Sequence, residues 1–577
     1  MQIEEGIKFS ELSRKTMTLS KLRTFFSAKY VGIFLFSISM ILCLLLITDG
    51  TYDFSVDGTD HLFLTLQVVE NQSISFRYYH LGATFYDGRY YSLRAPGYSF
   101  FAVPFYMLFK LFGGSIRFSM KFVSALSFSL TTLVVFELGK LIYNRRIGLI
   151  GSLLFIFGTF ALEYGIRIWA HAPSALFVTL TLYCLFRFRS SEKIIFLFSA
   201  ALSTGLVFAM RYADSIILIP VIVYLLISEK ENIFRGSIKT FGLYFLILIL
   251  SVTPVLFYHW VAFDNPFATG YSFPRFEFEK PGKLYPENIP MALLTSFFIY
   301  RNIDDPIWNI AYHSSLIESS PFFILSFFGF FYSYKKKKTE TLTFIITVFA
   351  LALYYGMRLR WWGGFCFNMR YLTPLLPIFC LTSALAISKI SKNFFKEFNT
   401  EFLLGIMLTV LPLVALIFLL PKQFYFVFVE SLLLFYDKKF TRYPPNQINF
   451  AIALILLLSF VFYLLLIQKD FHEKYISLAR GFFFGMFSLS LIFSAILNIY
   501  LNIILYPNKN GRVLPFLDAL GRLVGIEVPG YSFYNSFTAV PLLYYIIFGL
   551  FFTYALVFLF NYFYHFSARR PPNVLGE

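Results

Sequence analysis

The chain of 577 residues is 58% apolar and only 14% charged, with a mean hydropathy of +0.68. Soluble domains carry about 45–50% apolar and about 25% charged residues, so this is not a soluble globular enzyme. The 49 Lys and Arg against 32 Asp and Glu leave a formal charge of +17, which in a soluble chain would point to nucleic acid. In a membrane chain the same excess collects in cytoplasmic loops.

Apolar runs of about 20 residues span a hydrocarbon core of about 30 Å, and about 14 such runs are present. In chain order they are 31–48, 118–138, 147–164, 174–188, 194–210, 214–227, 240–258, 320–334, 341–357, 372–388, 402–420, 449–466, 481–502 and 540–561. The expected fold is therefore an all-α polytopic membrane protein. The first run is not a cleavable signal peptide, because its basic flank is long and no small-residue cleavage site follows it. Lys8, Arg14, Lys15, Lys21, Arg23 and Lys29 place the N-terminus, residues 1–30, in the cytoplasm. Alternation then puts basic loops such as Lys140/Arg145/Arg146 and Lys335–Lys338 inside, together with Arg569 and Arg570 near the C-terminus. Counting 97–113 as a span would put these loops outside. That apolar stretch is instead expected to lie along the outer interface as an amphipathic helix.

The loops 49–117, 259–319, 358–371, 421–448 and 503–539 then face outward. The cytoplasmic loops are short and hold no GxxxxGK[ST] nucleotide motif. The chemistry is expected at the outer face, without ATP. The cysteines show no CxxC pair or metal-like spacing, which speaks against a zinc site or a disulfide framework.

The densest polar stretch follows the first span and contains Asp49, Asp53, Asp57, Asp60 and His61. Carboxylates at a bilayer surface are either raised in pKa by desolvation or held ionised by nearby cations, and both states suit proton transfer. Single Asp residues more often cap helices and turns. Here the clustering, with Arg89 and Arg94 following, favours function. The amphipathic run His61–Glu70 leads on to "DGRYYSLRAPGYSFFAVPFYMLFKLFG".

That order of features resembles the C-type membrane glycosyltransferases (GT-C superfold), in particular the branch of protein O-mannosyltransferases and lipid A aminoarabinose transferases. "VDGTDHLFLTLQVVENQSIS" stands where that branch has an Asp-Glu pair and a helix, and "YYSLRAPGYSF" stands at its Lys-Pro-Pro motif. Gly58, Arg94 and Ala95 replace the family's Glu, Lys and first Pro. Downstream, "GLVFAMRYADSIILIP", "FDNPFATGYSF" and "RLRWWGGFCFNMRYLTPLLP" continue the similarity in order to about residue 380. The resemblance implies a catalytic module over residues 31–388, with 389–577 adding C-terminal helices. It also implies transfer of a sugar from a polyprenyl-phosphate donor to an acceptor hydroxyl, with inversion. The lipid-linked donor is the co-substrate, and the resemblance leaves a divalent metal open. The acceptor is a glycolipid, a polysaccharide or a protein.

Asp57 is the best match to the family's catalytic Asp, with Asp60 second and Asp53 third. Arg94, Arg370, Arg358 and Arg360 are the candidate cations for the leaving phosphate, since the guanidinium fork donates bidentately. Tyr90, Tyr91 and Asn368 complete the candidate set. Trp361-Trp362 reads first as an aromatic belt, and His171 as an interfacial histidine. Glu163/Arg167 and Arg211/Asp214 read as local ion pairs. Asp304-Asp305 read as a turn rather than as oxygen ligands for a cation, and the Asn71-Gln72-Ser73 sequon falls in the outer loop. A lipid-sugar transporter would require charges in span centres and paired broken helices. A polysaccharide polymerase or ligase is expected to carry its main outer loop late in the chain. Neither pattern is evident.

Overall fold

A computed structural model describes residues 28–47, 56–77, 80, 82–230, 237–273, 283–298, 303–305, 309–311, 315–361, 363, 369–390, 401–409, 446–469 and 471–495. Helices dominate. Helix α1 (Ala28–Leu46) is followed by α2 (Val56–Asn71), and three short strands, β1 (Ser75–Phe76), β2 (Ala83–Tyr86) and β3 (Arg89–Ser92), come next. Helices α3 (Gly97–Lys110), α4 (Ile116–Ile142), α5 (Arg145–Gly158), α6 (Ala161–Gly165), α7 (His171–Ser191) and α8 (Ile194–Met210) continue the chain. A 3₁₀ turn, Tyr212–Ile217, then leads into α9 (Leu218–Lys230) and α10 (Ser237–Phe263). Later helices cover Ser326–Lys336, Lys338–Gly356, Leu376–Ile390, Asn446–Gln468 and Glu473–Ala495.

Among the described residues, four helical stretches are long and apolar enough to cross a membrane: Ile116–Ile142, Lys239–Phe263, Lys338–Gly356 and Arg370–Lys389. Shorter apolar helices stand at Val31–Leu44, Ile194–Met210, Tyr212–Ser228 and Ile452–Gln468. The expected run 147–164 is cut short because α5 ends at Gly158 and Thr159 takes an extended conformation. The expected span 540–561 and outer loop 503–539 lie outside the described residues, as does the expected outer loop 421–448 except for 446–448, which open the helix Asn446–Gln468.

The segment between α2 and α3 departs from the all-helical expectation. Strands β1–β3 form an antiparallel sheet in the order β1-β3-β2. Asp87 and Gly88, at φ 43° and 73°, make the two-residue turn between β2 and β3. Two positive-φ residues are what a tight hairpin needs to match strand twist, and Asp-Gly supplies them. The alternation that builds the sheet covers at most four residues per strand, too few to separate from the surrounding aromatic run. A second pair of strands, Ile303–Asp305 and Asn309–Ala311, holds the Asp304-Asp305 dipeptide in register with Ile310 and Asn309.

Helix α3 takes the place expected for the interfacial helix over 97–113. It is tied to α2 by Glu70, whose carboxylate accepts from Lys110 Nζ at 2.6 and 2.7 Å and from the Tyr106 hydroxyl at 2.8 Å. Gly97 is required where α3 meets α8, because a Cβ there would run into the Ala209 backbone. The main apolar core lies between α4, α5, α7, α8 and Leu376–Ile390, with Phe128, Phe155, Tyr164 and Leu381 fully buried.

Candidate active site

Asp57 sits in the first turn of α2 and Asp60 follows three residues later, so both lie on one face of the helix. The β2–β3 hairpin delivers the chain back to the same point and presents Arg94 immediately after the sheet. From further along, the 3₁₀ turn Gly270–Ser272 packs against the end of β3. A Cβ on Gly270 would stand 2.6 Å from Leu93 Cα and 2.7 Å from the Ser92 carbonyl oxygen. Only glycine lets this turn approach closely enough for the Tyr271 hydroxyl to meet Arg94. The 3₁₀ turn Arg370–Leu375, at the head of Leu376–Ile390, supplies Arg370.

These four segments converge on the Asp57 carboxylate. Arg94 Nη2 pairs with Oδ1, and Arg370 Nη1 donates to Oδ2 at 3.1 Å. The side chains are part-buried: Asp57 is 16% exposed, Arg94 19% and Arg370 12%. Burial alone would push the Asp57 carboxyl up, but the guanidinium groups of Arg94 and Arg370 outweigh it and hold it well below the usual carboxylate range. Arg94 also donates through Nη1 to the Tyr271 hydroxyl. Its Nε is buried without a hydrogen-bond partner among the described residues. The Arg370 guanidinium lies 4.8 Å from the Trp169 ring centre and 5.4 Å from that of Tyr371, within cation–π range.

Asp60 has a different environment. Its side chain is 0% exposed, and Oδ2 accepts from Ser92 Oγ at 2.8 Å and from the Arg94 backbone N–H at 3.0 Å. Oδ1 has no hydrogen-bond partner among the described residues and lies 3.8 Å from His80 Nε2. Burial pushes this carboxyl up to about 7, against the opposing pull of Arg94 and Ser92. His61, next along α2, meets Ser99 Oγ through Nδ1 at 3.2 Å. Burial drives its pKa down to about 3, so the ring is neutral near pH 7.

A second ion pair stands beside the first. Arg211 Nη1 donates to Asp214 Oδ2 at 3.1 Å. The buried Asp214 also accepts from the hydroxyls of Ser174 and Tyr355. The Arg211 guanidinium lies 5.3 Å from the Tyr371 ring centre and 5.5 Å from that of Tyr355. Tyr371 is therefore shared by Arg211 and Arg370, and it links the two ion pairs. His171, at the start of α7, is buried between Tyr164 and Trp169, with Tyr371 stacked beyond it. Neither of its ring nitrogens has a hydrogen-bond partner among the described residues. Glu163 and Arg167 pair at 3.5 Å.

The structure thus brings together Asp57, Asp60, Arg94 and Arg370 of the expected set. Tyr90 and Tyr91 are strand residues paired with β1 and β2. Tyr91 packs edge-on to Phe263 in a small apolar cluster with Leu64 and Tyr258. Arg358 donates its backbone N–H to the Tyr355 carbonyl at 3.0 Å. Arg360 is part-buried. Asn368, Trp362 and Asp53 lie outside the described residues. Sequence reasoning singled out neither Tyr271, Tyr355 and Tyr371 nor Ser92. Two of them were within reach: Tyr371 follows Arg370 directly, and Tyr271 closes the "FDNPFATGY" motif. Among the described residues, no group of three or more His, Cys, Asp and Glu stands close enough to hold a metal ion.

Residues 94–258 match the family described as dolichyl-phosphate-mannose-protein mannosyltransferase. A comparison with curated proteins finds no match. Among solved structures, ArnT from Cupriavidus metallidurans in the apo state is 13% identical, with a TM-score of 0.47 over 82% of this chain and 78% of that one. The same protein bound to undecaprenyl phosphate is 12% identical, with a TM-score of 0.46 over 82% and 76%. The Archaeoglobus fulgidus oligosaccharyltransferase in the apo form is 12% identical, with a TM-score of 0.43, covering 63% of this chain and 51% of that one. The matched stretch runs from Arg94 through His171 and Arg211, and over it the chain resembles the protein mannosyltransferase branch of the C-type membrane glycosyltransferases.

Proposed function

We propose that this protein is an integral membrane glycosyltransferase that moves a sugar from a polyprenyl-phosphate donor to an acceptor hydroxyl at the outer face of the plasma or inner membrane. The catalytic module is residues 31–388, and both termini are cytoplasmic. The match of residues 94–258 to a family of dolichyl-phosphate-linked sugar transferases supports the donor class. The observation that carries the reading is the Asp57 carboxylate between two guanidinium groups.

The chemistry follows from that geometry. The acceptor oxygen attacks the anomeric carbon while Asp57 takes its proton. The bond from that carbon to the phosphate oxygen breaks, and the electron pair leaves with the polyprenyl phosphate, so the anomeric centre inverts. Charge builds on the leaving phosphate, and fixed guanidinium groups in a part-buried site stabilise it without reorganisation. Arg94 and Arg370 are placed for that role. Of the two described carboxylates, Asp57 has exposed surface for a hydroxyl to reach and Asp60 has none. We therefore assign Asp57 as the base and Asp60 as the residue that fixes the Arg94 backbone.

The test is transfer of labelled sugar from synthetic polyprenyl-phosphate donors by the purified protein in nanodiscs, comparing wild type with Asp57→Asn and Asp60→Asn. Loss of transfer in the first and retention in the second is expected. Full activity of Asp57→Asn overturns the assignment of the base. No transfer by the wild type from any polyprenyl-phosphate sugar, with a panel of glycolipid, polysaccharide and peptide acceptors, overturns the function.

A further inference from the structure

Asp57 as it stands is a poor base. Each carboxylate oxygen is paired with a separate guanidinium, one from Arg94 and one from Arg370, and two cations held against the carboxylate disfavour its taking a proton. The same two arginines are the groups best placed for a phosphate. A guanidinium fork fits phosphate as well as it fits carboxylate, so base and donor compete for the same partners. Arg211, the nearby third guanidinium, is already engaged by Asp214 and backed by two tyrosine rings.

We propose that Asp57 occupies Arg94 and Arg370 only until the donor's phosphate displaces it from them, so that donor binding itself frees the base. The inference rests on the glycosyltransferase reading and adds an order to it: donor first, then acceptor activation. The cycle closes by the reverse exchange. After transfer, Asp57 carries the acceptor's proton and the polyprenyl phosphate holds the arginines. When Asp57 recaptures them, its proton passes to solvent and the phosphate is released. Asp57 thus serves both the chemistry and product release. The part exposure of all three side chains leaves a phosphate room to approach them.

Two measurements test this. The first titrates full-length wild type, Asp57→Asn, Arg94→Gln and Arg370→Gln in nanodiscs with undecaprenyl phosphate and, separately, dolichyl phosphate. If Asp57 competes with phosphate, Asp57→Asn binds at least about tenfold tighter than wild type, equivalent to about 1.4 kcal/mol, while the two arginine variants bind more weakly. The second uses infrared difference spectra across pH and needs no altered site for its main signal. With saturating undecaprenyl phosphate, the wild type gains a protonated-carboxyl band near the ordinary Asp value of about 4. That band is missing without the lipid and in Asp57→Asn.

Arginine-dependent binding with no gain in Asp57→Asn and no lipid-dependent carboxyl band overturns the exchange alone. Failure of the wild type to bind either lipid phosphate overturns the exchange and the donor assignment together. If Asp57→Asn binds weakly because it is misfolded, the wild-type spectrum still decides.

Discussion

Asp60 gives the sharpest stability prediction. Its carboxyl is pushed up to about 7 by burial, against about 3.9 for an exposed Asp. Between those values the folded state binds more protons than the unfolded chain, so stability is greatest below about pH 4 and falls as pH rises through about 7. The gap of about three pH units corresponds to about 4 kcal/mol, at about 1.4 kcal/mol per unit. Asp60→Asn removes the titration and keeps an amide oxygen able to accept from the Arg94 N–H and Ser92. The assay is tryptophan-monitored thermal unfolding in nanodiscs at a fixed scan rate between pH 4 and 8, since membrane unfolding is rarely reversible. The Asp60→Asn variant is expected to gain on wild type steadily over that range. Parallel pH profiles for the two proteins would refute the assignment of a buried, neutralisable carboxyl to this position.

Three further outcomes follow from the site. Asp57→Asn should lower kcat by about 10²–10⁴, the usual worth of a positioned general base, as measured by steady-state sugar transfer. Arg370→Lys should retain charge but lose the planar contact with Trp169 and Tyr371. It should therefore keep less than about a tenth of wild-type kcat/KM, since Arg-to-Lys changes at stacked, forked sites are not conservative; near wild-type kcat/KM would count against that role. Gly270→Ala forces a Cβ onto the Leu93 backbone. It is expected to destabilise the protein by about 1–3 kcal/mol, as overpacking does, and to raise KM by moving Tyr271 away from Arg94. Melting and kinetic measurements on the one variant check both effects.

The sequence disclosed the site unevenly, for physical reasons. Charges beside apolar helices are costly and stand out against a chain that is 14% charged, which marked a wider set of Asp and Arg residues, and the family resemblance picked Asp57, Arg94 and Arg370 out of it. Helix positions at 116–142 and 237–263 were equally plain, since their apolar runs are long. The β1–β3 sheet was hidden, because two- and four-residue strands leave no period to read. Tyr355 and Tyr371 were hidden for another reason. With 39 tyrosines in the chain, nothing local separates the two that stack at 4.4 Å beside Arg211 from the rest. Arg211 and Asp214 were read as a local pair, and they are one. Their importance comes from Tyr371, 157 positions beyond Asp214, which only the fold brings to Arg211.

The two carboxylates of α2 show how one helix turn separates two roles. Asp57 and Asp60 share a face, a sequence context and a degree of proximity to Arg94. At Asp57 the contact is with the charged end of Arg94 and with Arg370, so the carboxylate stays ionised and reachable. At Asp60 the contact is with the neutral backbone N–H of that same Arg94 and with a serine hydroxyl, so burial wins and the proton is retained to near neutral pH. Environments that push paired carboxyls apart assign acid–base roles without any difference in residue type. A single arginine therefore sets both fates: its side chain holds the reactive carboxylate, and its main chain is held by the structural one. Arg94→Gln keeps the main-chain N–H that Asp60 accepts from and removes the guanidinium that draws both carboxyls down, so both should titrate at higher pH than in the wild type, read as protonated-carboxyl bands in infrared difference spectra. Unshifted bands would show that the Arg94 guanidinium does not set the two carboxyls.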